Sequence, residues 1–261
     1  MKKKIFFITL LVTAVLAAYA QDAQAIVQAS RDRIKAETVS SRSRMVVRAK
    51  DGSTSERVID QYSKDGPKGG RSMIVFPDVE KQPASVKGTR FLTMENKDSA
   101  DDRWIFLPSL GKVRRIAASE GSGSFMGTDF SYDDISSMSR GADFDAHTLL
   151  REESAGGTAC YVIQSVPKDA SYQYSKMVQW IAKDSKIGMK IELYDKKNAL
   201  VKTVEMSGVK DIQGKLTPQV TKISTHAAGT STTINMEIIK YDDPIPEAVF
   251  TTAYLETGRA R

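Results

Sequence analysis

The chain has 261 residues, one cysteine and a formal charge of +6 at pH 7. A single thiol excludes an internal disulfide, so the fold must rest on its core, and the length is sufficient to build one. Without the three lysines at positions 2–4 the balance falls to 35 basic against 32 acidic residues, too weak and too scattered to point to nucleic acid.

The first twenty residues read as a secretory signal. Lys2-Lys3-Lys4 precede an uncharged apolar run from Ile5 to Ala17, and Ala18-Tyr19-Ala20 forms a small-x-small cleavage site before Gln21. The run is short for a membrane span. No cysteine follows the expected cleavage point, which argues against lipoprotein processing. The expectation is an exported, periplasmic protein with one domain over residues 21–261.

Residues 22–37 carry alanine and isoleucine at helical spacing, with Asp22 placed to cap the start. Short alternating runs follow. "SRMVVRAK" (43–50) and "SERVIDQYS" (55–63) flank Asp51-Gly52, a hairpin signal. "RSMIVFPD" (71–78) and "GTRFLTMEN" (88–96) come next, then "DRWIFLP" (102–108) and "KVRRIAA" (112–118) around a tight Ser109-Leu110-Gly111 connection. After the stretch 120–135 the pattern is loop-like, with room for one short helix, until about 147. It then resumes in "TACYVIQSVP", "YSKMVQWIAKD", "GMKIELYDK", "ALVKTVEMSGVKDI", "LTPQVTKISTH" and "TSTTINMEIIKYD". Ten or eleven strands with turn residues between them read as a mainly β antiparallel meander: a single large curved sheet, a half-open β-barrel, with an N-terminal helix.

"GMKIELYDK" alternates cleanly, as a half-solvated strand does. "KMVQWIA" and "RWIFLP" do not. Met177 and Ile181 oppose Val178 and Trp180, and Trp104 and Phe106 oppose Ile105 and Leu107. Such strands are covered on both faces, or one face lines a dry cavity. Cys160 sits in an apolar run and reads as a buried structural thiol. Met126, Met138, Met177 and Met189 suit either an adaptable apolar slot or ordinary gap filling.

Sites for catalysis are not apparent. His147 and His226 have no ligand-spaced partners, and "DFDAH" (143–147) lacks the register of a calcium loop, so it reads as a solvated loop. The Gly-rich "GSGSFMG" misses the nucleophile-elbow spacing, and the two Ser-x-x-Lys occurrences lack companion motifs. Neither a phosphate-binding loop nor a dinucleotide fingerprint is present. Four adjacent carboxylate pairs look like turn chemistry. The expectation is a non-enzymatic chain without cofactor or metal.

The segment "EGSGSFMGTDFSYDDI" (120–135) combines three glycines with Phe125, Met126, Phe130 and Tyr132. Two readings suit it: a hinged apolar flap, or a loop pinned to the core by its aromatics. The flap is preferred, with Asp129 capping a short helical turn and Asp133 and Asp134 facing water or Lys112, Arg114 and Arg115. "WIFLPSLGKVRRI" and "GSFMGTDFSYDDI" resemble the outer-membrane lipoprotein-sorting, LolA-like family. "YDDPIPEAVFTTAYLE" (241–256) is similar to that family's closing Pro-x-x-x-Phe-Thr segment. The resemblance implies a helical or loop lid over the concave face of a half-open barrel. It also implies a periplasmic carrier for acyl chains of a lipid or lipoprotein, handing cargo to or from a membrane lipid exporter and working as a monomer. The expected apolar cavity and lid residues are Trp104, Phe106, Phe125, Met126, Phe130, Tyr132, Met177 and Trp180. The alternative is a non-carrier accessory module that docks on a transporter or envelope complex.

Overall fold

The computed structural model describes residues 23–66, 69–80, 82–96, 101–137 and 141–260. The expected leader, the Asp22 cap and Met138 lie outside the described residues. The chain is mainly β. Its strands are β1 (Thr38–Arg48), β2 (Thr54–Lys64), β3 (Arg71–Val75), β4 (Arg90–Met94), β5 (Asp102–Leu107), β6 (Lys112–Arg115), β7 (Asp145–Ala155), β8 (Thr158–Pro167), β9 (Lys176–Ala182), β10 (Gly188–Tyr194), β11 (Leu200–Ser207), β12 (Lys210–Ile212), β13 (Lys215–Thr217), β14 (Val220–Thr225) and β15 (Thr230–Tyr241). The helices are α1 (23–31), α2 (Tyr132–Ser137) and α3 (Thr252–Thr257). Thirteen strands follow one order, β6-β5-β4-β3-β2-β1-β15-β14-β11-β10-β9-β8-β7, with β6 and β7 at its two ends, so the sheet is not closed into a barrel. Every strand pair with a defined register is antiparallel.

Turn chemistry sets these registers. At the β1–β2 hairpin Gly52 takes φ 86°, and the Asp51 carboxylate accepts from the Ser53 amide at 2.9 Å. Gly111 takes φ 58° between β5 and β6. Gly208, at φ 65°, breaks the run from 199 to 212 into β11 and β12, where the sequence reads one strand.

Two compact units divide the chain: residues through 34 with 140–205, and residues 35–139 with 206–261. In the first, α1 lays Ala23 and Val27 on Ile163 and Ile181. The helix stops at 31, short of the expected 37. Glu37 is drawn into the strand layer instead, its amide donating to Asp242 at 2.7 Å. Strand β7 was not expected. A bulge between Leu149 and Arg151 changes its phase, and its inward positions include Asp145 and His147 rather than apolar residues. "DFDAH" is therefore not a solvated loop: His147 is buried in β7. Cys160 is buried as expected, and its burial pushes the thiol pKa up.

In the second unit the sheet buries both faces. One face of β3–β5 carries Met73, Leu92, Trp104 and Phe106, and is packed by Val249, Phe250 and Leu255 of the C-terminal segment. Thr251 caps α3 by accepting from the Tyr254 amide at 3.2 Å, and Gly258 ends it in the left-handed region at φ 66°. The other face carries Ile74, Phe91 and Ile105, all buried, and receives the segment 118–137.

Candidate functional site

The segment 118–137, expected as a lid, is fastened to the sheet. Its tip is a tight turn: the Phe125 amide donates to the Phe130 carbonyl at 2.7 Å, and the Thr128 amide to the Phe125 carbonyl at 3.0 Å. Met126 and Gly127 take φ 52° and 72° to make that turn, and Arg57 donates to the Met126 carbonyl at 2.5 Å. The glycines serve close approach as much as freedom. A Cβ on Gly121 would lie 2.2 Å from the Asp133 carboxylate.

Phe125 is fully buried in a cluster of four rings. Its centroid lies 5.2 Å from Phe91 and 5.7 Å from Tyr132, both edge-on, and 6.0 Å from Phe76. Burying such a ring is worth about 1.5–3 kcal/mol, and edge-to-face pairs add roughly 0.5–1.5 kcal/mol each. Phe130 is also buried. The pinned-loop reading therefore describes this state, and the preferred hinged flap does not.

The three aspartates hold the segment in place. Asp129 does not cap the helix. It is 8% exposed and accepts hydrogen bonds from the hydroxyls of Thr225 at 2.6 Å, Thr230, and Thr232 at 2.7 Å, while its own amide donates to Thr232 at 3.0 Å. The cap is Ser131, whose hydroxyl accepts from the Asp134 amide while Asp134 accepts from the Ser131 amide, a reciprocal capping box that buries Asp134. Asp133 pairs with Arg103 at 2.6 Å, both side chains largely buried. Arg114 turns to Glu120 and Arg115 to Asp102 instead. Sequence spacing missed the Asp129 anchor because its threonines lie about a hundred residues further along the chain.

The eight expected residues do not share one surface. Phe125, Met126, Phe130 and Tyr132 come together in the lid. Trp104 and Phe106 lie on the reverse face of the same sheet, against the C-terminal segment, so neither reaches the space beneath the lid. The physical reason is strand parity: Ile105, not its neighbours, shares the face of Phe91. Met177 and Trp180 belong to the other unit and point to opposite faces of β9. Met177 packs with Tyr174 and Leu193, and Trp180 with Val162 and Val178. The Trp180 indole donates to Glu153, under Lys190 at 4.4 Å from the ring centre.

Among the described residues, His147 pairs with Ser165. His147 Nε2–H donates to the Ala142 carbonyl at 2.9 Å, which leaves Nδ1 to accept from the Ser165 hydroxyl at 2.7 Å, and Ser165 in turn accepts from Gln179. Burial lowers the His147 pKa. Ser165 is 0% exposed, so no substrate reaches it, and the pair is a satisfied core network. Among the described residues no group of three or more His, Cys, Asp or Glu is placed to hold a metal, and no helix is long and apolar enough to cross a membrane.

Comparison with known proteins gives the lid and sheet a context. A family model described as an uncharacterized protein matches residues 71–257. A domain from Vibrio parahaemolyticus described as an outer membrane lipoprotein-sorting protein domain is 28% identical with a TM-score of 0.84, over 91% of this chain and 99% of that one. A DUF1329 family protein from Desulfovibrio piger is 30% identical with the same TM-score, again over 91% and 99%. A LolA superfamily protein from Nitrosomonas europaea shares the fold at 22% identity and TM-score 0.70, over 89% and 99%. No curated protein matches the sequence. The fold is that of the LolA-like lipoprotein-sorting proteins. Within it, the chain belongs to the DUF1329 family.

Proposed function

We propose that this protein is a periplasmic carrier that shields acyl chains of a lipid or lipoprotein beneath the 118–137 lid. It is delivered by the cleaved leader, works as a monomer without a cofactor, and passes its cargo to or from an envelope partner such as a membrane lipid exporter. The observation that carries this reading is the likeness to the Vibrio lipoprotein-sorting domain over 91% of the chain. The chemistry agrees with it. An acyl chain in water costs about 0.8 kcal/mol per methylene, so a carrier needs an apolar face that it can cover and uncover. Phe76, Phe91 and Ile105 supply such a face, and the lid aromatics supply the cover. On this reading cargo takes the place that Phe125 holds against Phe76 and Phe91, and loading requires the segment to lift.

The test is native mass spectrometry and lipid extraction of the mature protein, together with titration of a fluorescent fatty acid. Copurifying lipid and saturable probe binding are expected. Absence of both would sink the carrier reading. The second reading, an accessory module that docks on a transporter, is favoured by the complete burial of Phe125, since the space beneath the lid is then filled by the protein itself. It predicts no probe binding together with retention on a detergent-solubilised membrane complex.

A further inference from the structure

A second feature of the 35–139 and 206–261 unit lies across the sheet from the 118–137 segment and shares Thr225 and Thr230 with its anchor. On the reverse face, at the end of the sheet formed by the β1–β2 and β14–β15 turns, a groove of about 600 Å³ is lined by side chains of β2, β1, β15 and β14. That volume falls within the roughly 300–1,000 Å³ usual for small-ligand sites. Its floor follows from strand register. Arg48 stands beside Ser231, which stands beside Ser224; Val46 stands beside Thr233, which stands beside Lys222. Alternation places all six side chains on one face. Strands spaced about 4.8 Å apart put β1 and β14 roughly 10 Å apart across β15, so the long side chains of Arg48 and Lys222 can close from both sides on a group resting on the Ser231 and Thr233 hydroxyls.

The chemistry of this lining is one-sided. It holds a guanidinium, an ammonium, an imidazole and six hydroxyl side chains; Thr225 and Thr230 are committed to the Asp129 carboxylate on the other face, which leaves Thr54, Ser224, Ser231 and Thr233 as donors. Among the described residues Arg48 and Lys222 make no ion pair, whereas Arg44, two positions from Val46 on the same face, is matched by Glu237 at 3.2 Å. Both cations are exposed. A guanidinium fork and a lysine point charge, backed by a row of hydroxyl donors, suit an anion with several oxygens on one centre. A carboxylate, with two oxygens, would leave most of those donors unused.

We infer that this groove binds a phosphate group, with Arg48 and Lys222 as the clamp and Ser224, Ser231 and Thr233 as hydroxyl donors. The group is either that of a phospholipid headgroup or a soluble phosphate. The inference is independent of the carrier reading, because the clamp and the three named donors stand on the opposite face of the sheet and require no movement of the 118–137 segment.

The experiment compares the mature protein with its Arg48→Gln/Lys222→Gln variant, both changes lying on the surface. Inorganic phosphate is titrated into each while amide shifts of residues 222–233 are followed by NMR. Each is also floated with vesicles of phosphatidylglycerol in phosphatidylcholine, and with phosphatidylcholine alone. Saturable phosphate shifts in the parent, weakened at least about tenfold in the variant, are expected, tenfold being about 1.4 kcal/mol. Flotation with the anionic vesicles that the variant loses identifies a headgroup as the source; phosphate shifts without flotation identify a soluble phosphate. No response in either arm, or a response that the variant retains, overturns the inference. Fatty-acid probe binding measured on the same samples reports the carrier reading separately, so either can fail alone.

Discussion

Replacing Asp129 by alanine should release the lid while leaving the sheet intact. Its carboxylate accepts from three threonine hydroxyls, and these are not equivalent. Thr232 is 0% exposed, so its hydroxyl finds no water when the carboxylate is removed. A hydrogen bond to a charged group is worth about 1.5–3 kcal/mol, and that range applies to Thr232. Thr225 and Thr230 are partly exposed and regain solvent, so each loses roughly 0.5–1 kcal/mol. Removing a buried carboxylate also relieves its desolvation, which offsets part of the sum. The net expectation is about 2–4 kcal/mol. For a chain of this size that corresponds to a Tm lowered by roughly 5–12 °C. The assays are thermal unfolding by circular dichroism and amide hydrogen exchange. Exchange should accelerate across 121–137 and stay unchanged in the β1–β2 hairpin. Thr232→Val alone and in combination should show a coupling of at least about 1 kcal/mol. A variant melting within about 1 °C of the parent, or exchange that rises equally everywhere, would refute the assignment of Asp129 as the lid's anchor.

Phe125→Ala should destabilise by about 3–5 kcal/mol, the cost of emptying a closed aromatic site; a loss under 1 kcal/mol in urea unfolding would mean that the ring is not packed as described. His147 gives a pH dependence of definite sign. Burial holds its pKa below the usual value, so the unfolded chain takes up the proton first as the pH falls. The stability it contributes is complete above the unfolded value of about 6.5 and drains away below it, and His147→Gln should flatten that slope between pH 7.5 and 5. An unchanged slope in the variant would place the titrating group elsewhere. Gly258→Ala should loosen the C-terminal segment by at least about 1 kcal/mol. Its φ of 66° strains any L side chain, and a Cβ would lie 2.7 Å from the Arg90 guanidinium that donates to the Leu255 carbonyl. Limited proteolysis at 250–260 reads this directly, and equal cleavage rates would count against it.

Much of the sheet was legible because its signals are local. Asp51-Gly52 and Gly111 mark turns, and the mixed runs "KMVQWIA" and "RWIFLP" correctly announce strands covered on both faces. Strand β7 was not legible. A bulge at Leu149 breaks its alternation, its inward side bears Asp145 and His147, and Leu150 faces water. Parity placed Trp104 and Phe106 on the face opposite Ile105 but could not say which face meets the lid. That is decided by what packs on Phe91 of the preceding strand, and by the C-terminal segment some 140 residues later. The lid was legible as a segment and by its aromatics. Its fastening was not, because nothing near Asp129 announces three threonines on a distant hairpin. The groove over β15 was silent for the same reason: Arg48 and Lys222 become neighbours only through the pairing of β1 and β14 to β15.

The partners of Asp129 are neutral, and among the described residues no cation stands against it. Dissolved electrolyte weakens attractions between exposed charges over a Debye length of about 8 Å at physiological strength, but it has little purchase on a buried carboxylate held by hydroxyls. The Asp129 anchor should therefore be indifferent to the saltiness of the medium, whereas exposed ion pairs, such as Arg114–Glu120 at the start of the segment and Arg151–Glu153 elsewhere on the sheet, come and go with it. The hold of Asp129 on the β14–β15 hairpin thus persists in dilute and concentrated surroundings alike, and is loosened by events that disturb those threonines themselves.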